Sequence, residues 1–162
     1  MSFSQQLDRI DQKILSILQQ EARITNQDLS DRVNLSPSSC LNRVRKLEER
    51  GFIGPYFGML DLERVCRSVM VIATVTLKDH SRDQFKAFQD YVQKIPEVVE
   101  CYMVSGSFDF CLRIVAPDMG RYNEINDHLL DATDTPGVMN ISSHVVLNTS
   151  KHFSGYPIEK LL

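Results

Sequence analysis

The sequence lacks any hydrophobic run long enough to enter a membrane. Its longest apolar stretches, such as Val69–Ala73, fall far short of the roughly 18 residues that span a bilayer. Residues 1–6 contain neither a basic cluster nor an apolar segment followed by a small-residue cleavage site. We therefore expect neither membrane association nor secretion, which leaves a cytoplasmic protein.

Metal-binding and catalytic patterns are missing as well. The four cysteines Cys40, Cys66, Cys101 and Cys111 lie 26, 35 and 10 residues apart, and the four histidines are equally scattered. A structural zinc site needs close ligand pairs, so we expect no metal site and reduced, mostly buried thiols. No nucleophile–base pair or paired carboxylates occur at an informative spacing, so we expect neither catalysis nor a cofactor.

An excess of positive charge is also missing, which at first argues against a nucleic-acid-binding protein. The 162 residues carry a net charge of −3. The first 55 residues, however, contain eight basic against seven acidic side chains, whereas the remainder contains 10 against 14. The acidity belongs to the C-terminal part, so a DNA-binding N-terminal part is not excluded.

Three helices are predicted in the first fifty residues. Apolar residues recur at three- and four-residue steps across Leu7–Leu18, as on one face of an amphipathic helix. Thr25, followed three residues later by Asp28, is typical of the cap of a second, short helix. Ser36 can cap a third helix, and Gly51 offers a left-handed stop. A short helix, a tight turn and a longer helix predict a helix-turn-helix.

The third helix has an outward face that is short-polar at its start and basic further along. On a helical wheel with Val44 toward the core, the outward residues lie about 100° or more away. In a recognition helix the first residues reach base edges and basic residues hold phosphates. Asn42 and Arg43 could make bidentate contacts to adenine and guanine. The residues expected to contact double-stranded DNA are Thr25, Asn26, Gln27, Ser36, Ser38, Ser39, Asn42, Arg43, Arg45, Lys46 and Arg50. Two alternatives are a merely solvated face and a winged helix that binds protein.

The second half predicts a split β-α-β fold. Runs rich in β-branched residues indicate strands at Val69–Leu77, Val98–Val104, Phe108–Ala116 and Val138–Leu147. Apolar residues at helical spacing predict one helix between the first two strands, which ends at Pro96. The same spacing predicts a second helix between the last two strands, which begins after Pro117. The order β-α-β-β-α-β is that of a ferredoxin-like domain with both helices on one face of an antiparallel sheet. A second copy of the chain would cover the other face.

The loop Val104–Asp109 combines features that suit a free amino acid. Gly106 has no Cβ and can expose backbone N–H groups to a carboxylate, while Asp109 can pair with an ammonium group. Gly-x-x-Asp is also common in ordinary hairpin turns, so the pattern alone leaves both interpretations open.

A series of motifs resembles the leucine-responsive regulatory protein family, Lrp/AsnC. They are Leu7-Asp8-Arg9-Ile10-Asp11, Asp28-Leu29-Ser30, the run from Leu35-Ser36-Pro37 to Leu47-Glu48, and Gly51-Phe52-Ile53. The resemblance implies a winged helix-turn-helix domain at residues 1–53, a strand linker at 54–66, and a ferredoxin-like amino-acid-binding and oligomerisation domain at 67–150. Residues 151–162 remain as a C-terminal tail, which we expect to pack on a neighbour.

The same resemblance implies where an effector binds. The residues it implies are Met103, Val104, Ser105, Gly106, Ser107, Phe108, Asp109, Thr135, Pro136, Gly137 and Val138, near a subunit interface. Apolar Met103, Phe108 and Met119 favour leucine or methionine. The expected protein is a transcriptional regulator that assembles as a homo-oligomer, a dimer or a tetramer of dimers. The alternatives are an amino-acid-sensing protein whose winged helix binds protein, and a small ferredoxin-like enzyme.

Overall fold

The computed structural model describes residues 7–131 and 137–161, which divide into two compact units. The helical unit contains the described residues up to Met59 together with those from Lys151 onward, and the sheet unit contains Leu60–Ser150. In chain order the elements are α1 (Arg9–Gln20), α2 (Asn26–Val33), α3 (Pro37–Glu49), α4 (Leu62–Val65), β1 (Val69–Leu77), α5 (Arg82–Val92), β2 (Val98–Met103), β3 (Phe110–Ala116), α6 (Met119–Leu130), β4 (Val138–Val145) and α7 (Ile158–Leu161).

Side-chain caps define the starts of the first three helices. The Asp8 carboxylate accepts hydrogen bonds from the backbone N–H groups of Ile10 and Asp11, which closes a capping box at α1. The hydroxyl oxygens of Thr25 and Ser36 accept one backbone N–H each at α2 and α3. These contacts satisfy N–H groups that the helices themselves leave unpaired. The predicted helix-turn-helix is confirmed.

One small apolar core holds the helical unit together. It contains Ile14 and Leu18 from α1, and the remaining buried members are Leu29, Val33, Cys40 and Leu47. Ile14 and Cys40 are completely buried, whereas Val44 is only half-buried. On α3, only Cys40 and Leu47 are fully buried, and Val44 between them is partly exposed, so this helix presents a narrow apolar face to the core.

The sheet unit contains a four-stranded antiparallel sheet in the order β2-β3-β1-β4. Alternate residues of the two central strands, such as Ala73 and Leu112, are buried, as the two-residue period of a strand requires. They pack with α5 and α6 in one core that includes Phe88 and Leu129. Both helices therefore cover the same face, and the ferredoxin-like prediction is confirmed.

Several predicted boundaries differ from the structure. The strand predicted at the linker does not form: residues 54–61, all described, contain no strand, and α4 follows them. Extended residues become a strand only when another strand pairs with them. The helix predicted to run to Pro96 ends at Val92. Two cysteines differ as well, because Cys66 and Cys101 are exposed rather than buried.

The C-terminal tail packs on α1 of its own chain. The Gln19 side chain donates from Nε2 to the Tyr156 carbonyl at 2.7 Å, and its Oε1 accepts the Tyr156 N–H at 2.8 Å. A single amide side chain therefore satisfies both backbone groups of one tail residue.

Among the described residues, no helix is both long and apolar enough to cross a membrane.

Candidate functional sites

The outward face of α3 presents the polar and basic side chains that the wheel predicted. Cys40 and Leu47 are buried, whereas a set of polar residues on the other sides of the helix is exposed. The exposed set comprises Ser38, Ser39, Asn42, Arg45, Lys46 and Arg50. The face offers hydroxyl and amide groups at its start and cations toward its end. The guanidinium of Arg50 also lies over the Phe52 ring, 4.8 Å from its centroid.

The residues around the turn join the starts of α2 and α3. The Asn26 side chain donates to the carbonyl oxygen of Pro37 at 2.9 Å, and this contact links the two helices directly. The Ser36 hydroxyl donates to Ser39 Oγ at 2.9 Å. Thr25 Oγ1 donates to Asp28 at 2.7 Å while it caps α2. Gln27 is exposed and contacts Asp31. Several predicted DNA contacts therefore also build the turn.

Arg43 makes two contacts that were not predicted from the sequence. Its Nη1 lies 2.6 Å from Asp8 Oδ2 and 2.8 Å from Asp11 Oδ1, and its side chain is half-buried. The hydrogen bonds to Asp11 and then to Asp8 raise the pKa of the Arg43 guanidinium. In this arrangement the guanidinium contacts carboxylates at the start of α1, while Arg43 still lines one concave surface with Ser39, Asn42 and Lys46. The contact of Arg43 to guanine stays a prediction.

In the sheet unit, the predicted effector loop connects β2 and β3. The Val104 N–H donates to the Asp109 carbonyl at 2.9 Å, which closes the loop at its base. Ser105, Gly106 and Ser107 are exposed, and Gly106 has φ +133, a backbone conformation that L-residues rarely adopt. The loop therefore depends on glycine at its tip and presents backbone there.

The carboxylate of Asp109 holds the loop against the end of β1. Its Oδ2 accepts the Leu77 N–H at 2.8 Å, and His80 Nε2 lies 3.3 Å from its Oδ1. The Asp109 side chain is only 13% exposed, whereas that of His80 is 63% exposed. His80 was not predicted as a site residue. Its position three residues after the end of a strand run, Leu77, was the only available signal.

The second segment of the predicted effector site, residues 135–138, includes Gly137, which contacts the chain just after the end of β1. The Lys78 N–H donates to the Gly137 carbonyl at 2.7 Å, one residue along from the Leu77 contact of Asp109. Val138 is buried. Two more predicted residues, Thr135 and Pro136, lie outside the described residues.

Gln84 also lies beside Gly137. A Cβ at Gly137 would meet Gln84 Oε1 at 3.4 Å, and this buried oxygen has no hydrogen-bond partner among the described residues. Sequence reasoning did not single out Gln84.

The apolar residues that favoured an apolar effector are accessible. Met103 is 62% exposed and Met119 is 40% exposed, while Phe108 is half-buried. Within residues 7–131 and 137–161, no three His, Cys, Asp or Glu side chains gather as metal ligands.

Comparison with known protein families matches both units. Residues 7–53 match the family model for a winged helix-turn-helix DNA-binding domain, and residues 70–156 match that for the Lrp/AsnC ligand binding domain. The leucine-responsive regulatory proteins of Escherichia coli K12 and Klebsiella pneumoniae are each 42% identical over 145 residues, covering 90% of this chain and 87% of theirs.

Solved structures agree with this assignment. An AsnC family regulator from Agrobacterium tumefaciens superposes with a TM-score of 0.85 at 33% identity, covering 96% of this chain and all of that one. A Neisseria meningitidis transcriptional regulator in complex with L-methionine gives 0.82 at 36% identity, covering 96% and 99%. The alternative of a winged helix that binds protein is thereby set aside. The chain belongs to the Lrp/AsnC family and is a DNA-binding, amino-acid-responsive transcriptional regulator.

Proposed function

We propose that this regulator reads DNA with the exposed face of α3 and senses leucine or methionine at the Val104–Asp109 loop. The observation that carries the proposal is the division of α3 into a buried apolar side and an exposed polar and basic side. A helix of this kind fits the major groove, where side chains read base edges.

Within α3 the proposed roles follow from position. Ser38, Ser39 and Asn42 stand at the start of the exposed face and contact bases. Arg45, Lys46 and Arg50 hold phosphates on either side of the groove. At the turn, Thr25, Asn26, Gln27 and Ser36 place the backbone of the two helices against the DNA, since each of them is exposed or half-buried at a helix start.

The proposed effector site joins Val104–Asp109 with Gly137 and Val138, completed by Met103, Thr135 and Pro136. Exposed backbone at Gly106 suits the effector carboxylate, and the buried charge of Asp109 suits its ammonium group. Accessible Met103 suits an apolar side chain. Leucine or methionine is favoured further by the relatives, one of which is named leucine-responsive and another of which is in complex with L-methionine.

A second copy of the chain is the proposed partner of the open sheet face. The helices cover one face, and the opposite face carries apolar side chains that include the exposed Tyr102 and the half-buried Met70 and Ile72. The segment Ser36–Gly51 carries only four basic against two acidic residues. Several DNA-binding domains joined in one oligomer would compensate for this low charge. Once the first domain is bound to DNA, the binding of each further domain becomes an intramolecular step. We propose a dimer that assembles into a tetramer of dimers in the cytoplasm.

The test combines three measurements on the full chain. Thermal unfolding is recorded with each of the twenty amino acids, and light scattering follows the assembly state. Gel shifts against the gene's own upstream DNA are titrated with salt. We expect leucine and methionine to raise Tm, which lysine and asparagine do not do, and to change the assembly or the DNA shift. We also expect affinity for DNA to fall steeply with salt.

A matched pair of variants localises the effector site. Gly106→Ala places a side chain at φ +133 and should abolish the shift in Tm caused by leucine or methionine. Gly58→Ala, in an open position outside the loop, should preserve it. An equal response in both variants would place the effector elsewhere.

A further inference from the structure

The contacts of Arg43 give it a role within the DNA-binding unit that its position on α3 does not suggest. One nitrogen of its guanidinium contacts two carboxylates of α1, at 2.6 Å from Asp8 and 2.8 Å from Asp11. The Asp11 side chain is only 13% exposed, and that of Arg43 is 33% exposed. These are directed contacts between two helices, made from residues that lie 35 and 32 positions apart in the sequence.

The two carboxylates are themselves fixed. Asp8 caps α1 by accepting the N–H groups of Ile10 and Asp11, at 2.9 and 2.8 Å. Asp11 in turn accepts the Asp8 N–H at 3.4 Å, which completes the capping box. The hydrogen bond from the Asp11 backbone, together with Arg43, lowers the pKa of the Asp8 carboxyl. Arg43 therefore contacts two carboxylates that the capping box already orients at the start of α1, of which the Asp8 side chain is 52% exposed and that of Asp11 13%.

Few side chains of α3 enter the core. They are the buried Cys40 and Leu47 and the half-buried Val44, and apolar contact itself has no preferred direction. A rotation of α3 about its axis would turn the exposed Asn42 and Lys46 away from a groove. The charge-assisted contact of Arg43 adds a directional restraint on that rotation.

We propose that Arg43 is a positioning residue, which locks the rotation of α3 against α1 through Asp8 and Asp11 so that Ser39, Asn42 and Lys46 face the DNA. This inference rests on the proposed DNA-reading face. The proposal predicts that an acidic residue increases the affinity for DNA. Acidic groups near DNA normally oppose binding, yet here the carboxylate of Asp11 supports binding by holding the reading helix.

The experiment measures DNA affinity by fluorescence anisotropy over a range of salt concentrations. The probes are a duplex that the wild-type chain selects from a random pool and a scrambled duplex of the same composition. The variants are Asp11→Asn, Arg43→Gln, Arg43→Lys and the double variant Asp11→Asn/Arg43→Gln. The matched control is Glu49→Gln, which removes an exposed acid from α3.

We expect Asp11→Asn to weaken binding to the selected duplex at least about fivefold, whereas Glu49→Gln strengthens binding to both duplexes slightly. Arg43→Gln should weaken selected binding to a similar extent without changing the salt slope. The double variant should be no weaker than either single one, since both remove the same contact. Arg43→Lys should retain affinity within about threefold, because a single Arg43 nitrogen makes both contacts.

Two results would overturn the proposal. One is stronger binding by Asp11→Asn, as for Glu49→Gln. The other is a salt slope smaller by about 1 in Arg43→Gln, which would identify Arg43 as a phosphate contact. A different result would show that the exposed face of α3 does not contact DNA at all. In that case the Asn42→Ala and Lys46→Ala variants would bind both duplexes like the wild type. Thermal unfolding confirms that each variant is folded, and Arg43→Lys and Asp11→Asn keep the test decisive if Arg43→Gln unfolds.

Discussion

His80 Nε2 lies 3.3 Å from Asp109 Oδ1, an oxygen of the carboxylate that we propose as the partner of the effector ammonium group. The imidazole is exposed and the carboxylate is nearly buried, so the ring and an ammonium group would compete for the same oxygen. We expect His80→Ala to bind leucine or methionine several-fold more tightly in calorimetric titrations. Binding weakened by this variant would contradict the competition and make His80 part of the site.

Asp109 combines a proposed effector contact with a structural one, and two substitutions separate them. Asp109→Asn keeps an oxygen that can accept the Leu77 N–H but removes the charge. Asp109→Ala leaves that N–H without its acceptor, which costs about 1–3 kcal/mol of stability. We expect both variants to lose the amino-acid response while DNA binding persists, with only the alanine variant unfolding at a clearly lower temperature. An unchanged effector affinity in Asp109→Asn would rule out the ammonium contact.

The exposed face of α3 should divide into sequence-reading and charge-neutralising residues. Asn42→Ala should lower the preference for a selected over a scrambled duplex by about 5- to 150-fold, which corresponds to roughly 1–3 kcal/mol. Lys46→Ala should weaken both duplexes alike and reduce the salt slope by about 1. Anisotropy titrations at several salt concentrations measure both quantities. Interchanged effects would reverse the proposed roles of the two residues.

These functions rest on a fold whose local features could largely be predicted from neighbouring residues. The nine-residue run Val69–Leu77 forms β1 over the predicted range, because β-branched side chains favour strands and every second one meets the core. Ser36 caps α3 as expected, because its oxygen needs only the N–H three residues ahead. Such predictions succeed when the contacts that determine a local structure lie within one helical turn or between neighbouring residues of one strand.

Distant partners decided the rest. The contacts of Arg43 could not be predicted, because its carboxylate partners lie 35 and 32 positions away and no local pattern indicates them. The contact of Gln19 with Tyr156 spans 137 positions and depends on how the tail returns. The family resemblance implies a strand at the linker, but extended residues form a strand only when another strand pairs with them.

Glu97 should make the sheet unit sensitive to acid. The hydrogen bond from Arg121, at 2.7 Å, lowers the pKa of the Glu97 carboxyl below its usual range. Its stabilisation is therefore complete above the unfolded pKa of about 4.3 and is lost as pH falls through the lower folded pKa. Glu97→Gln should flatten the loss of Tm below pH ~4.5. Glu124→Gln removes a more exposed partner of the same guanidinium and should change that profile less.

Gly51 ends the recognition segment in a left-handed conformation, with φ +73. No atom of the residues that the structure describes lies within 4 Å of a Cβ placed there, so Gly51→Ala tests the backbone preference. We expect a loss of about 1–2 kcal/mol in chemical denaturation. Gly58→Ala, equally open but without a positive φ, should be neutral or slightly stabilising. Equal effects at both positions would remove the conformational explanation.

The return of the tail to α1 sets an order of events during synthesis. Tyr156, which Gln19 holds through both backbone groups, is translated only after the whole sheet unit. A nascent chain can thus form its helix-turn-helix early but cannot close that unit until translation has passed residue 156. The whole sheet unit is therefore synthesised between α1 and the tail residue that contacts it, so a chain interrupted before residue 156 has an α1 without the Gln19–Tyr156 hydrogen bonds.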